Sequence, residues 1–295
     1  MSQLPPFILA MRPKTLPAAV VPVWVGCVLA WKLSGRFDGL LLLATLLGAL
    51  FIQIATNFFN DAIDASKGAD TGNRLGPQRV TASGLMSPRA VMKLGLLFLL
   101  LATSCGGYLV LECGWPILAI GIPSLFLAYG YTGGPFPLAY RGMGELFVIV
   151  FFGLVAVGGT VFVQMGSWPP EAVLLGAQVG LLSAALISIN NFRDREEDAN
   201  TGKRTLAVRF GPKFAAGLIW IEIKLAAFLG LFWIVWGIPE LLVASLPVMA
   251  VGMRILWGVL TQAPSTFNRL LALAGLQLLL FAICFHVLAS LSSAA

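Results

Sequence analysis

Seven of the thirteen carboxylates in this 295-residue chain fall in two short clusters, each closing a long apolar run. The first spans 57–70 and carries Asp61, Asp64 and Asp70; the second spans 190–206 and carries Asp194, Glu196, Glu197 and Asp198. Acids beside a hydrocarbon slab are costly and by default functional. Gln53, Asn57, Asn60, Asp61 and Asp64 step by three or four, so on a helix they share one face. Asn190, Asp194 and Asp198 repeat the pattern. Two acidic stripes packed together without a cation repel, and some of their carboxylates then stay protonated. Mg²⁺ resolves this, because it takes oxygen ligands and bridges one or two carboxylates to substrate phosphates. The bland alternative is a pair of solvated helix ends.

Bases accompany both clusters. Lys67, Arg74 and Arg79 follow the first, and Arg193, Lys203 and Arg204 surround the second. Lysine meets phosphoryl oxygens as a point charge and arginine as a planar fork. Residues 76–84 and 202–206 read as loops able to close over a diphosphate, and neither has nucleotide-loop spacing. A third polar segment runs from Tyr131 to Glu145. Tyr131 could face a carbocation with its ring or anchor the interface. Arg141 could bind an anionic substrate or hold its loop. Glu145 could cap a helix or act in the site. His286, the single histidine, is expected to pack. Glu222 and Lys224, two apart, cannot share a helix face, so each needs a partner on another helix.

The elements that must position these residues are membrane helices. The chain is 58% hydrophobic and only 11% charged, far below the globular norm of about 25% charged. That excludes a soluble nucleic-acid binder despite the net charge of +6. Apolar runs predict nine spans near 16–33, 39–60, 90–111, 115–131, 143–164, 172–192, 213–236, 239–260 and 269–291, in one all-α polytopic domain over 1–295. Asn57-x3-Asp61 before Gly68 and Asn190-x3-Asp194 before Gly202 suggest two related four-helix halves, 16–131 and 143–260, with the ninth span appended. With the N-terminus cytoplasmic, sixteen lysines and arginines lie on or beside inner segments and only Lys32 and Arg36 on outer ones. The positive-inside bias thus predicts a multi-pass cell-membrane protein whose acidic clusters face the cytoplasm. The N-terminal segment reads as an interfacial lead-in, not a signal peptide. Cys27, Cys105, Cys113 and Cys284 form no C-x-x-C pair and predict packing roles, with neither disulfide nor zinc.

Asn60-Asp-Ala-Ile-Asp64 matches an N-D-x-x-D motif. Asp194 to Asp198, followed by Gly202-Lys-Arg-Thr-Leu206, matches D-x-x-x-D with G-K-x-T-L. Together with nine spans these residues resemble the intramembrane aromatic prenyltransferase superfamily over essentially the whole chain. The flanks 12–17, 64–70, 76–79, 131–135 and 190–194 are similar to its 1,4-dihydroxy-2-naphthoate branch, which serves menaquinone synthesis. The Asp64-to-Asp70 spacing departs from the D-x-x-x-D of the 4-hydroxybenzoate branch. The resemblance implies a polyprenyl diphosphate whose tail lies between helices and whose head sits at the cytoplasmic mouth. It implies Mg²⁺ on Asp61, Asp64, Asp194 and Asp198, assisted by Arg79 and Lys203, with Lys67 and Asp70 beside the substrate. Asn57, Asn60 and Asn190 would orient carboxylates or metal-bound water. An allylic cation, with Tyr131 beside it, would be attacked by the aromatic carbon bearing a carboxylate, which leaves as CO₂. Alternatives are another acceptor, such as 4-hydroxybenzoate or a tetrapyrrole, and a cation- or phosphate-coupled transporter. A transporter would need polar broken helices at mid-membrane, whereas here the polar residues gather at one face.

Overall fold

Helices begin where the sequence offers caps. Asp38 Oδ1 accepts from the amides of Leu40 (2.8 Å) and Leu41 (3.0 Å), satisfying the first free N–H groups of its helix. Ser87 Oγ accepts from Ala90 N at 3.2 Å, with Pro88 supplying the preset first turn. The computed structural model describes residues 5–68, 75–76 and 78–291. Its longer elements are α1 (Pro6–Met11), α2 (Pro17–Ser34), α3 (Gly39–Ser66), α4 (Pro88–Cys113), α5 (Pro116–Gly130), α6 (Gly144–Met165), α7 (Pro170–Arg193), α8 (Arg195–Asn200), α9 (Leu206–Leu229), α10 (Ser245–Thr261) and α11 (Phe267–Leu291). No strand occurs among the described residues.

The nine expected apolar helices all form, but among the described residues only eight are long and apolar enough to cross a membrane. The exception is α5, which has 15 residues. At 1.5 Å per residue it reaches about 22 Å, short of a hydrocarbon core of about 30 Å. It nevertheless runs the full depth of the fold. At its start, Cys113 Sγ donates to the carbonyl of Val163, at the far end of α6 (3.7 Å). At its end, Thr132 Oγ1 donates to Asn60 Oδ1 on α3. So α5 carries the chain back to the face where both acidic clusters lie.

The core is centred on α7. In its apolar window 78% of residues are buried, against 17% for α3 and α4, so α7 is the central helix and α3 and α4 are peripheral. Val25, Leu175, Leu182, Ile223 and Phe281 pack α2, α9 and α11 around it. On its other side α6 comes to backbone contact. A Cβ on Gly153 would sit 2.2 Å from Gly176 O, and one on Gly180 would sit 2.6 Å from Ile149 O. Small residues permit such close crossings in membrane folds. Over Ile149–Val155, along this contact, α6 widens into a π turn. Near its start α9 is broken by Gly211 (φ 82°) and Pro212, which separate an amphipathic first turn from the transmembrane run. His286 packs as expected, its Nδ1 accepting from Trp24 Nε1 at 2.9 Å. Lys224 departs from expectation: its ammonium lies 5.5 Å from the ring of Phe228, one turn along the same helix.

Candidate active site

Asp61 and Asp64 lie in the last two turns of α3 and are buried. The α3–α4 loop folds back over them. Asp61 accepts from the backbone amides of Val80 (3.2 Å) and Thr81 (2.9 Å), which fixes that loop. Asp64 is the hub. Its Oδ2 accepts from Arg79 Nη2 at 3.3 Å and from Lys203 Nζ at 3.2 Å, and its Oδ1 accepts from the Tyr140 hydroxyl at 2.9 Å. Lys203 belongs to the second cluster, 139 residues away in sequence, so this contact joins the two motifs.

The second cluster is not one continuous stripe. α7 ends at Arg193, Asp194 is the junction, and the short α8 carries Asp198. The Asp198 amide still donates to the Asp194 carbonyl at 2.8 Å, so the one-turn spacing survives the break. Buried Arg193 grips both oxygens of Asp194 at 2.7 Å and also donates to Asn190 Oδ1 at 2.8 Å. Asn190 therefore orients Asp194 through Arg193, and its own amide reaches Asp194 at 3.5 Å. Arg193 Nη1 continues to Asn268 on α11 (2.6 Å), whose amide donates to the Leu75 carbonyl at 3.0 Å.

The 131–145 segment completes the site. Lys67 Nζ donates to Thr132 O at 2.8 Å and lies 4.0 Å above the Tyr140 ring. Burial lowers its pKa, Asp64 opposes that shift, and Lys203 adds to it. The Tyr131 hydroxyl lies 3.1 Å from where a Cβ on Gly144 would be. Burial holds this phenol well above its ordinary pKa, and Glu145, Asp64 and Asp198 push the same way. One carboxylate from each cluster thus acts on a phenol that stays neutral. The Tyr131 ring sits 5.0 Å from Phe147, which stacks on Phe151 at 4.7 Å, forming an aromatic row from the carboxylates into the apolar interior. Glu145 is buried, with Oε1 accepting from Asn191 at 2.8 Å and Oε2 unpartnered.

Two expected site residues make their contacts apart from this convergence. Asn57 donates to Met11 O (2.9 Å) and Thr15 Oγ1 (3.0 Å), so its amide ties the N-terminal segment across α3. Arg141 is exposed; it donates to Pro135 O at 3.3 Å and stacks 3.7 Å above Phe136, holding its own loop. Asp70 lies outside the described residues, as does Arg74. Conversely, Tyr140 and Asn191 carry site contacts that spacing did not single out. Tyr140 is one of only four tyrosines and sits in a loop beside an arginine, the one signal available.

The donor set suits a hard divalent cation. Asp61, Asp64, Asp194 and Asp198 offer oxygen only, and two cationic side chains already converge on one oxygen of Asp64. Among the described residues no three acidic, thiol or imidazole groups gather into a closed cage. Mg²⁺ needs none, since it keeps waters and takes one or two carboxylates plus substrate phosphates.

Residues 19–279 match the UbiA prenyltransferase family. The 1,4-dihydroxy-2-naphthoate octaprenyltransferase of Haemophilus influenzae is 38% identical over 208 residues, covering 68% of this chain and 67% of that protein. The protein of the same name in Escherichia coli is 35% identical over 250 residues, covering 80% of each. Among solved structures, a UbiA homologue from Archaeoglobus fulgidus bound to DMAPP and Mg²⁺ superposes with a TM-score of 0.67. It is 17% identical and covers 96% of this chain and 99% of that one, a likeness of fold.

Proposed function

Since the chain belongs to the UbiA prenyltransferase family, we infer that its joined acidic clusters are the diphosphate end of an aromatic prenyl transfer site. The acceptor would be 1,4-dihydroxy-2-naphthoate and the donor a polyprenyl diphosphate, giving demethylmenaquinol, the hydroquinone form of demethylmenaquinone, with diphosphate and CO₂. The observation that carries this reading is the 3.2 Å contact between Lys203 and Asp64, which brings both motifs to one place. The names of the Haemophilus influenzae and Escherichia coli relatives support the acceptor.

Asp61, Asp64, Asp194 and Asp198 would hold Mg²⁺, which when bound supplies charge stabilisation for the departing diphosphate. Arg79 and Lys203, both held on Asp64, are placed to turn toward phosphoryl oxygens. Asn60 and Thr132 pin the 131–145 segment to α3, and Asn190 and Arg193 fix Asp194. As the allylic carbon–oxygen bond breaks, the row Tyr131, Phe147 and Phe151 would line the cation with ring faces and keep out water that would quench it. A neutral Tyr131 suits this, because a phenolate would itself be alkylated. The ring carbon bearing the carboxylate then forms the new carbon–carbon bond. The carboxylate's bond pair returns to the ring as CO₂ departs, so no base need remove a proton from that carbon.

The experiment uses purified protein, a polyprenyl diphosphate, Mg²⁺ and 1,4-dihydroxy-2-naphthoate labelled in its carboxyl group. Labelled CO₂ should appear in step with prenylated product. Label retained in the product, or turnover of 4-hydroxybenzoate alone, would move the protein to another acceptor.

A further inference from the structure

Outside the active site, two arginines stand without partners at one cavity. Arg254 on α10 and Arg269 on α11 line a hollow of about 560 Å³ between these helices. Neither guanidinium has a hydrogen bond, ion pair or ring contact among the described residues, and both are exposed. Arg254 is the more telling. It sits two turns from the end of α10 at Thr261, on a helix face that exposes Met253, Trp257 and Leu260. Such a surface faces lipid, and a lone cation there is costly unless an anion meets it. Its stem can snorkel toward the interface, where Arg269 waits in the first turn of α11.

The rest of the hollow divides by chemistry. At the interface end lie Gln262 and Thr266, bonded to each other at 3.2 Å. Along α11, Leu273 and Leu276 form an apolar wall. Two cations, polar groups beside them and a greasy wall running along the helices match a phosphate head on an acyl tail. We propose that the α10–α11 cleft is a binding site for an anionic phospholipid, its phosphate between Arg254 and Arg269 and one acyl chain against Leu273 and Leu276. Basic clefts between transmembrane helices take lipid headgroups in this way.

The site has a route to the catalytic end. Asn268, the neighbour of Arg269, accepts from Arg193, which holds Asp194, and donates to Leu75 in the loop after the first cluster. A lipid that orders the start of α11 would therefore steady two supports of the active site.

The test compares the intact protein with R254Q/R269Q in detergent, titrated with phosphatidylglycerol and with phosphatidylcholine and read by native mass spectrometry. The intact protein should retain phosphatidylglycerol preferentially. The variant should bind it roughly tenfold more weakly or worse, at about one factor of ten lost per one to two cations removed. Phosphatidylcholine binding should be unchanged, which shows that the variant is folded, and R254K/R269K should restore part of the preference. The phosphate could instead be that of a second prenyl diphosphate or a free anion. Displacement of phosphatidylglycerol by geranyl diphosphate or inorganic diphosphate at equal concentration would overturn the lipid assignment. So would equal retention of both phospholipids by the intact protein.

Discussion

Asp64 bears more of this site than any other single residue, because four side chains' positions depend on it: Arg79, Lys203, Tyr140 and, through the Tyr140 ring, Lys67. Asp64→Asn keeps the shape and removes the charge that two bases and a divalent cation need. Turnover should fall at least about a hundredfold, since even residues that merely orient a metal ligand are worth ten- to a hundredfold. The assay is prenyl transfer at saturating Mg²⁺, with membrane insertion checked separately; near-normal turnover would remove Asp64 from the chemistry. Tyr140→Phe isolates a smaller quantity. It deletes one hydrogen bond of 2.9 Å to a charged acceptor, so about a tenfold loss is expected, with Mg²⁺ still required. Asp64, Asp61 and Lys203 were legible in the sequence because helical spacing and the rarity of charge in an apolar chain mark them. Tyr140 was not, because its hydroxyl reaches Asp64 only after the 131–145 segment folds across α3. The contacts of Asn57 were hidden for a related reason. It shares the polar face of Asp61 and Asp64, but a turn away the N-terminal segment claims its amide.

Among the elements, α6 and α7 set the depth of the site, since α6 begins at Gly144, against the Tyr131 hydroxyl, and α7 ends at Arg193, beside Asp194. Their contact is backbone on backbone at Gly153, Gly176 and Gly180. Gly153→Ala places a methyl group 2.2 Å from a carbonyl oxygen that cannot step aside. It should destabilise the fold by about 1–3 kcal/mol, the usual cost of overpacking. A lowered thermal midpoint in detergent would register this, and Gly217→Ala, with nothing within 4 Å of the added carbon, should leave the midpoint in place. Equal midpoints for the two variants would show that the helices can part without penalty. The helices themselves were readable from apolar runs and caps such as Asp38 and Ser87. The π turn at Ile149–Val155 was not, because nothing in that apolar run announces a contact with α7. Nor was the true length of α5. Pro116 and the Gly130–Tyr131 turn cut it to fifteen residues, while the apolar run alone extended it to a full span.

For the whole molecule, the side of the membrane that the carboxylates face decides which substrate pool the site meets. Within the fold, all three polar segments share one end. Asp64 meets Lys203 and Tyr140, and Asn268 meets both Arg193 and Leu75. The opposite end holds the turns at 35–38 and 166–169, where Gln164 Oε1 accepts from the Asp38 amide at 2.9 Å. Nearly all lysines and arginines collect at the site end, and that bias predicts that it is cytoplasmic. Single cysteines can be introduced into a variant lacking Cys27, Cys105, Cys113 and Cys284. Ala82, exposed in the loop over Asp61, represents the site end; Ser167, exposed after α6, represents the other. In intact cells a membrane-impermeant maleimide should label Ser167→Cys and spare Ala82→Cys, and permeabilisation should make Ala82→Cys reactive. A diphosphate-headed substrate drawn from a cytoplasmic pool requires that result. Labelling of Ala82→Cys alone in intact cells would invert the protein and put its acidic site outside.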